Sequence, residues 1–400
     1  MNAMLSWAVG ASIAIVAFHF IIYPALIFIL ARLIGRPCTR GSTNLSVSLI
    51  TPAYNEASVI SRKIDNSVAR ARSGDEVIVV SDGSTDGTTE IIRDSAERSI
   101  RALTLEPRQG KVAALNHAVE HSTADILIFT DAKSLLAPDA VDKILRNFAD
   151  PKVGCVNGAL RMPPDTEASN LTAVGRAEGL YWQYEEFIKR HESLLHSTLG
   201  VTGSLLALRR TLWRKIQKGT VNDDVHIGLS VLRQGYRVIY DREAIAWQLP
   251  SLTTNDEMVR RTRMTAGRYQ NLLSVGAWPW RVPGAVAMLF CHKFLRLLMP
   301  IFLFIAFVAN IALLLFPNVN PLFVFILVGQ VFVYGLAAVG AVAECWGRRW
   351  RLPSVAYYFV LGNIGTLVGL VRYVRGRQSV LWEKAARGAD HIIAGGRNHS

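Results

Sequence analysis

The sequence predicts an α/β protein in which a mostly parallel sheet domain is joined to transmembrane helices. Two observations carry this prediction. Short apolar runs alternate with helical patterns between residues 44 and 247, and apolar runs long enough to cross a bilayer lie nearer both ends of the chain. Because alternation of strands and helices is typical of parallel sheets built from βαβ units, we expect the middle of the chain to form such a domain.

The first long apolar run extends from Trp7 to Leu33. About 20 residues suffice for a helix to span a bilayer, so this run predicts a transmembrane anchor within residues 1–40. Arg32, Arg36 and Arg40 lie at its end and after it. Basic residues accumulate on the cytosolic side of membrane segments, so we expect the domain that follows to be cytosolic.

Residues 278–400 are predicted to form interfacial helices and a C-terminal transmembrane bundle. The stretch from Arg281 to Arg296 predicts an interfacial amphipathic helix, and those from Leu297 to Phe316 and from Leu322 to Ala343 predict spanning helices. The stretch from Ser354 to Tyr373 is long enough to span, but glycines interrupt it. Because a span there would place the basic tail outside, against the positive-inside pattern, we expect a dipping or re-entrant segment.

The basic composition is interpreted mainly as a signal of membrane topology. The chain has 44 Lys and Arg against 31 Asp and Glu, a net charge of +13, and 50% hydrophobic residues. Basic proteins can bind nucleic acid, but these basic residues crowd beside apolar runs, as at Arg348 and Arg349. We therefore expect membrane lipid and nucleotides as partners, and no nucleic acid. The four cysteines form no Cys-x-x-Cys pair, which predicts neither a zinc site nor a disulfide framework.

The α/β domain is predicted over residues 44–275. Its apolar runs predict four strands, over Val47–Ile50, Glu76–Val80, Arg101–Leu105 and Asp125–Thr130. Helical patterns cover Ala57–Arg72, Thr88–Arg98, Lys111–His121, Pro138–Phe148 and Asn170–His196. The stretch between residues 150 and 166 is interpreted as looser, because it ends in a Pro-Pro pair.

Polar residues follow the ends of three predicted strands. Asp131 comes after an apolar run, and Glu56 and Asp82 follow the first and second runs. The carboxyl ends of parallel strands share one edge of an open sheet, and ligands of such sheets bind at that edge. We therefore expect these acids to converge on one crevice.

The ordered motifs resemble those of membrane-anchored family 2 glycosyltransferases, which have the Rossmann-like GT-A fold. The residues that carry the resemblance to the donor site are Pro52, Ala53, Tyr54, Asn55, Glu56, Asp82, Gly83, Ser84, Lys111 and Asp131. The resemblance covers about residues 45–270 and implies an inverting transferase that uses a nucleotide sugar, with a UDP-sugar expected. It implies that these residues, with Lys133, contact the donor, with Asp82 at its base or ribose. The other reading of Asp82 is an Asx turn, since Gly, Ser and Thr follow it.

The resemblance also implies a divalent metal, Mg²⁺ or Mn²⁺, held by Asp131 at the donor diphosphate. Cations at phosphates typically take one or two carboxylates and keep waters. The family pattern is Asp-x-Asp, whereas here Asp131 is followed by Ala132 and Lys133. Lys133 is expected either to contact a phosphate or to be solvated.

Asp223 and Asp224 match the acidic pair of the family. By that match Asp224 is the general base that deprotonates the acceptor hydroxyl. Adjacent carboxylates raise one another's pKa toward a value suited to this task. The alternative is that the pair caps the helix that follows.

The acceptor side is implied at Gly203, Ser204, Arg260, Arg261 and Arg263. Processive members of the family carry the motif Gln-x-x-Arg-Trp at these positions. In this chain Arg260 stands in place of the Gln and Met264 in place of the Trp. Of that motif Arg263 matches, and the loss of the Trp argues against processive synthesis. The arginines are expected at a diphosphate or at lipid headgroups.

The sequence thus predicts a membrane glycosyltransferase in the plasma or bacterial inner membrane, with a lipid-linked or growing polysaccharide acceptor. Two alternatives stay open at this point. One is a processive synthase that moves its product through the membrane bundle, and the other is a non-catalytic scaffold of a glycan-assembly complex. Retention of Asp82, Asp131, Asp223 and Asp224 favours an enzyme over the scaffold.

Overall fold

A computed structural model describes residues 2–163, 173–249, 254–346, 348 and 350–376. Most of the predicted basic tail, which ends near Arg387, lies outside the described residues. The same holds for the first residues of the helix predicted from Asn170.

The α/β domain is built on one eight-stranded sheet with the order β3-β2-β1-β4-β7-β6-β8-β5. Its strands are β1 (Val47–Ala53), β2 (Glu76–Asp82), β3 (Arg101–Leu105), β4 (Ile126–Phe129), β5 (Leu135–Leu136), β6 (Val153–Arg161), β7 (Leu206–Arg209) and β8 (Arg237–Trp247). Strands β1 to β4 pair in parallel, as predicted. The second half is mixed, because β7 runs antiparallel to β4 and β6, while β6 and β8 pair in parallel.

The stretch interpreted as loose contains the nine-residue strand β6. Gly154 and Gly158 weaken its apolar pattern, which is why the sequence did not indicate a strand. Both glycines are required by close packing. A Cβ at Gly154 would lie 2.6 Å from Leu212 Cδ1, and one at Gly158 would lie 2.7 Å from the Ala244 carbonyl oxygen.

Helices cover both faces of the sheet. In chain order they are α1 (Asn2–Ala17), α2 (Tyr23–Ile34), α3 (Ile60–Arg70), α4 (Thr88–Asp94), α5 (Lys111–Glu120), α6 (Ala140–Leu145), α7 (Ala173–Leu195), α8 (Asp223–Arg233), α9 (Thr254–Leu273), α10 (Pro283–Met288), α11 (Leu295–Leu313), α12 (Pro321–Cys345) and α13 (Arg351–Val374). Alternate residues of β1 enter different cores: Leu49 and Ala53 pack with α3 and α6, whereas Ile50 packs with α5 and α8. The sheet is therefore buried on both faces, as parallel sheets are.

Four helical segments among the described residues are long and apolar enough to cross a membrane: Asn2–Ile34, Pro283–Leu313, Pro321–Cys345 and Arg351–Val374. The first joins α1 and α2 through a π-helical turn, Phe18–Ile22, and confirms the predicted apolar N-terminal helix.

The separate interfacial helix predicted from Arg281 to Arg296 is not formed. Helices α10 and α11 join through a π-helical turn, Leu289–Phe294, into the segment Pro283–Leu313. The polar residues of the turn face the protein rather than an interface, since His292 is 1% exposed and lies 2.7 Å from Glu192. Sequence pattern alone could not show that the buried partner of this polar face comes from α7.

Helix α13 is continuous over Arg351–Val374, so the stretch is not interrupted as a broken re-entrant segment would be. Its glycines do not break it but allow close packing on α9. A Cβ at Gly365 would lie 3.4 Å from Arg261 Cβ, and one at Gly369 would lie 2.9 Å from Thr265 Cβ. Small residues at helix contacts let backbones approach in this way. The α9–α13 contact ties the apolar helices to the catalytic domain.

We expect Gly369→Val to lower the free energy of unfolding by about 1–3 kcal/mol, because the added side chain overpacks the contact with Thr265. Thermal unfolding of the detergent-solubilised protein measures this change. The matched control is Gly335→Val on α12, where a Cβ meets no atom within 4 Å. Equal melting temperatures of the two variants would contradict the role assigned to Gly369.

Candidate active site

A cavity of about 950 Å³ lies at the carboxyl ends of β1 and β4 and is closed on its far side by α9 and α13. Its lining contains ten of the residues predicted from the sequence: Glu56, Lys111, Asp131, Lys133, Gly203, Ser204, Asp223, Asp224, Arg260 and Arg263. The predicted convergence of strand-end acids on one crevice is therefore confirmed for Glu56 and Asp131.

Lys111 joins the acidic residues of the cavity. Its Nζ lies 3.0 Å from Asp131 Oδ1 and 3.1 Å from Asp223 Oδ2. Gly110 precedes it with φ +97°, a conformation that favours glycine, and α5 begins at Lys111. A helix N-terminus and an ammonium group both favour anions, so the lysine and its helix form one positive wall of the cavity.

Asp223 and Asp224 are the first two residues of α8. Asp224 Oδ1 accepts a hydrogen bond from the backbone N–H of its neighbour Val225 at 2.8 Å. Asn222 is the residue before the helix, and its side chain makes no capping bond. The acids lie inside the first turn, so the reading of the pair as a simple N-cap is not what the structure shows.

Burial, with the adjacent Asp223, raises the pKa of Asp224 to about 6, although Lys111 and the Val225 N–H act in the opposite direction. A carboxylate with this pKa is ionised at neutral pH and is yet a stronger base than an exposed aspartate. Asp224 is therefore suited to accept a proton in the cavity.

Asp82 does not line the cavity but holds the loop in front of Lys111. It is 3% exposed, and its two carboxylate oxygens accept backbone N–H bonds from Gln109 at 2.7 Å and Gly110 at 2.8 Å. A buried carboxylate with two such bonds fixes the backbone that it accepts from. This positioning contact was not predicted from the sequence.

Other residues predicted at the nucleotide also lie beside the cavity and outside its lining. Pro52 lines a small adjoining pocket, and Ala53 is buried in the core. Asn55 donates its backbone N–H to Ser84 Oγ at 3.2 Å, and its side chain accepts from Thr85 N–H at 2.8 Å. These contacts join the loops that follow β1 and β2.

The Tyr54 ring lies beside the same loop as Asp82. The Arg108 guanidinium carbon is 3.5 Å from the centroid of this ring, a cation–π distance. A Cβ at Gly83 would lie 2.6 Å from the Arg108 backbone nitrogen, so only glycine fits there. Tyr54, Gly83 and Arg108 therefore pack together beside the loop that Asp82 holds.

Lys133 is not solvated, which removes one of its two predicted roles. Its side chain is 9% exposed, and Nζ lies 3.8 Å from Glu56 Oε2, whose side chain is 2% exposed. The two residues line the cavity together. The lysine that replaces the second acid of the family pattern therefore balances a buried glutamate.

Lys63 is a residue of the site that sequence reasoning missed. It is 0% exposed, and its Nζ donates to Thr130 Oγ1 at 2.8 Å and to the Ser134 carbonyl at 2.5 Å, on either side of Asp131. Burial lowers the pKa of Lys63 to about 7, and Asp131 partly opposes this. A lysine on an amphipathic helix gives no sequence signal of such a position.

The arginines of α9 separate into two groups. Arg260 and Arg263 line the cavity, whereas Arg261 stands outside its lining, with its guanidinium carbon 4.0 Å from the Tyr358 ring centroid on α13. The structure therefore does not bring Arg261 together with the other two arginines at the cavity. Arg372 and Arg375 line the cavity from α13 and were not predicted, because only the α9–α13 contact brings them there.

The acidic residues fit a divalent cation that is bound jointly with a diphosphate. Among the described residues, no three His, Cys, Asp or Glu side chains converge to hold a metal by themselves. Asp131 is one carboxylate at the end of β4, with its side chain 24% exposed at the cavity. Magnesium-type sites at phosphates need only one or two carboxylates, since phosphate oxygens and water complete the coordination.

Proteins similar to this chain include the following two curated relatives and one solved structure. Poly-beta-1,6-N-acetyl-D-glucosamine synthase of Staphylococcus aureus (strain COL) is 25% identical over 232 residues, which are 57% of this chain and 55% of that protein. The synthase of the same name from Staphylococcus epidermidis is 24% identical over 238 residues, 58% of this chain and 57% of that protein. The chain spans about half the length of the curated relatives it matches.

The solved structure is the mannosyltransferase PcManGT from Pyrobaculum calidifontis in complex with GDP-Man and Mn²⁺. It is 24% identical, has a TM-score of 0.69, and the match covers 92% of this chain and 99% of that one. At this identity the match shows the fold alone, but it extends over the apolar helices as well as the sheet.

The sequence profile of one family covers more than half of the chain. The family is described as "Glycosyltransferase like family 2", and its profile matches residues 44–267, a range that contains the whole sheet and most of the cavity lining. The chain therefore belongs to glycosyltransferase family 2, as a glycosyltransferase with a GT-A-like domain and several helices apolar enough to cross a membrane.

Proposed function

We propose that this glycosyltransferase transfers a sugar, with inversion, from a nucleotide-sugar donor to a lipid-linked or growing polysaccharide acceptor. The observation that carries the proposal is the position of Asp224, whose pKa is raised to about 6, in one cavity with Asp131 and Lys111. A base and a diphosphate-binding wall are the two parts that a sugar transfer needs. A UDP-sugar is the proposed donor.

The donor diphosphate is proposed to lie against the start of α5, between Asp131 and Arg263. Lys111 and the α5 N-terminus supply positive charge there, and Arg263 also lines the cavity. Mg²⁺ or Mn²⁺ held by Asp131 would neutralise charge on the leaving diphosphate. Asp82 supports this wall indirectly, because it fixes the loop that ends at Gly110.

Asp224 is proposed as the general base. The acceptor oxygen forms a bond to the anomeric carbon, the bond from that carbon to the diphosphate oxygen breaks, and the acceptor proton passes to Asp224. Attack from the face opposite the leaving group inverts the anomeric centre. Asp223 raises the pKa of Asp224 by like-charge repulsion, and Lys111, which forms an ion pair with Asp223, acts to lower it again.

A processive synthase is the second candidate, and the similarity to the poly-N-acetylglucosamine synthases favours it. Met264 lines the cavity where processive members carry Trp, which argues for short products. Product length measured with one donor separates the two candidates. The scaffold alternative is disfavoured because Asp131, Asp223 and Asp224 stand together in one cavity.

The proposed arrangement at the membrane follows the sequence boundaries. Residues 1–40 form the anchor, residues 44–275 the cytosolic catalytic domain, and residues 278–400 the C-terminal membrane part. The four apolar helices and the arginines beside them support this division. The acceptor would then reach the cavity along α13, whose Arg372 and Arg375 line it.

We expect Asp224→Asn to lower kcat by about 10²–10⁴-fold, because an amide cannot accept the acceptor proton. Release of nucleoside diphosphate from a panel of UDP- and GDP-sugars, with membrane lipid extract as acceptor, measures the effect. Asp139→Asn is the control, since that carboxylate is exposed and distant from the cavity. Unimpaired turnover by Asp224→Asn would remove this residue from the mechanism.

The pH dependence of the wild-type kcat/KM tests the same base independently. Only the ionised form of Asp224 accepts a proton, so kcat/KM should rise about tenfold per pH unit below pH 6 and level off above it. An initial-rate profile between pH 4.5 and 8 tests this. A rate that falls as the pH rises through 6 would require a different group.

We expect Asp131→Asn to abolish the metal dependence of nucleoside diphosphate binding, because the amide is a poor ligand for a hard cation. Calorimetric titration with and without Mn²⁺ measures it. In the wild type, chelation should weaken binding; in the variant, chelation should change nothing. Equal metal dependence in both proteins would place the cation elsewhere.

A further inference from the structure

Gln248 lines the catalytic cavity and has no part in the transfer described above. It follows β8 directly, and its backbone N–H donates to the Arg161 carbonyl at 2.9 Å, which continues the parallel pairing of β8 with β6. Because β7 is antiparallel to both β4 and β6, strands β6 and β8 end at the same edge of the sheet as β4. The strand order therefore brings Gln248 to the edge where Asp131 lies.

Two serine hydroxyls fix the direction of the Gln248 carboxamide. Ser134 Oγ donates to Gln248 Oε1 at 3.3 Å, and Ser204 Oγ donates to the same oxygen at 3.2 Å. Both serines are buried, and among the described residues neither hydroxyl has another acceptor. A buried hydroxyl hydrogen needs an acceptor and an amide nitrogen is not one, so the oxygen of Gln248 faces the serines.

The amide nitrogen of Gln248 is left for the cavity. The residue is 6% exposed, and within the part of the chain that the structure describes its Nε2 donates to no group. Since the oxygen faces the serines, the two N–H donors face away from them. Buried donors in a ligand cavity are costly without an acceptor, so this pair is suited to an oxygen of the ligand.

The two serines are held in turn by the residues around Asp131. Lys63 Nζ donates to the Ser134 carbonyl at 2.5 Å, and the Ser134 N–H donates to the Asp131 carbonyl at 3.0 Å. On the other side, Thr130 Oγ1 donates to the Ser204 carbonyl at 3.0 Å. The amide donors are therefore supported by a buried network, and such support lowers the entropy lost when a ligand binds.

The amide lies close to the position proposed for the donor sugar. The hydrogen bond between Asp131 and Ser134 closes a turn, which brings their Cα atoms within about 7 Å. Ser204 follows Gly203, where a Cβ would lie 3.5 Å from Asp131 Oδ1. The diphosphate is proposed at Asp131 and the base at Asp224. The sugar that is joined to the diphosphate therefore lies in the part of the cavity that the amide borders.

We propose that Gln248 is a specificity-determining residue that donates an N–H bond to an oxygen of the donor sugar. This inference rests on the proposed transfer from a nucleotide sugar and adds the residue that contacts the sugar. The oxygen belongs to a hydroxyl or to the carbonyl of an acetamido group, since both accept from an amide. Cations elsewhere in the cavity are suited to the phosphates, whereas a neutral amide is suited to the uncharged part of the donor.

A donor fixed in this way discriminates between sugars. A sugar that lacks the oxygen, or holds it in the other configuration, leaves the amide N–H groups without a partner in a site from which the substrate excludes water. The loss of one such bond corresponds to a factor of about 10–10² in affinity or in kcat/KM. An apolar side chain at the same place would discriminate only by size.

The test measures equilibrium binding to the full chain in non-ionic detergent with Mn²⁺, by calorimetric titration. The probes are UDP, GDP, UDP-glucose, UDP-N-acetylglucosamine and GDP-mannose. For each sugar nucleotide, the ratio of its affinity to that of the free nucleoside diphosphate reports the contribution of the sugar. We expect this ratio to fall about tenfold in Gln248→Met for the sugar nucleotide with the highest ratio in the wild type, with the affinity for the free nucleoside diphosphate unchanged.

A second substitution separates recognition of the sugar from support of the loop. Gln248→Met removes the serine contacts and the N–H donors together, whereas Gln248→Glu keeps an oxygen for the serines and removes only the donors. We expect the ratio to fall in both variants. A fall confined to Gln248→Met, or an equal loss of affinity for the sugar nucleotide and its free nucleoside diphosphate, would identify a structural role and overturn the proposal.

The matched control is Gln183→Met, which removes an exposed carboxamide of α7 outside the cavity lining and should bind as the wild type does. UDP-glucose and UDP-N-acetylglucosamine distinguish the two sources of the oxygen, because they differ only in the substituent at C2. A fall for the acetamido sugar alone would assign the contact to its carbonyl, and a fall for UDP-glucose or GDP-mannose would assign it to a hydroxyl. An unchanged ratio for every sugar nucleotide would overturn the proposal.

The binding measurement does not depend on turnover, so it separates this inference from the proposed function. Absence of transfer by a wild type that binds a sugar nucleotide would count against the proposed function alone. Intact transfer, together with an unchanged ratio in both variants, would count against Gln248 alone. A wild type that binds none of the five probes would overturn both.

Discussion

The catalytic cavity depends on the two ion pairs that the ammonium group of Lys111 forms with the carboxylates of Asp131 and Asp223. Lys111 begins α5, Asp131 follows β4, and Asp223 begins α8, so three distant parts of the chain meet at a single Nζ. Without that cation, the acids would repel one another in a place that water reaches poorly. The loop fixed by Asp82 and the left-handed Gly110 place the lysine there.

The apolar helices take part in the site as well as in anchoring. Glycines of α13 allow it to approach α9 closely, and the approach carries Arg372 and Arg375 to the cavity that Arg260 and Arg263 line from α9. A candidate membrane helix thus supplies part of the wall of a nucleotide-sized cavity. This packing couples the position of the catalytic domain to that of the apolar helices, so that the proposed lipid-linked acceptor would have a short path to Asp224.

The sequence was sufficient to identify the site residues that a local pattern of neighbouring residues marks. Asp131 and the pair Asp223 and Asp224 stand at the ends or beginnings of apolar elements, and a local pattern identifies them. It was insufficient where a contact joins distant elements, as for Lys63 under Asp131. Arg261 lies outside the cavity lining for a simpler reason: adjacent residues on a helix differ by about 100° in direction, so Arg261 and Arg260 face different neighbours.

The same site holds its base at a physical cost. Burial and the neighbouring Asp223 raise the pKa of Asp224, so this carboxylate stands in a place that disfavours its charge. A fold selected for stability alone would pair the group fully or replace it. Lys111 instead forms its ion pairs with Asp131 and Asp223, and it opposes the pKa shift of Asp224 only in part. The cation therefore keeps the three acids together and still leaves Asp224 suited to accepting a proton.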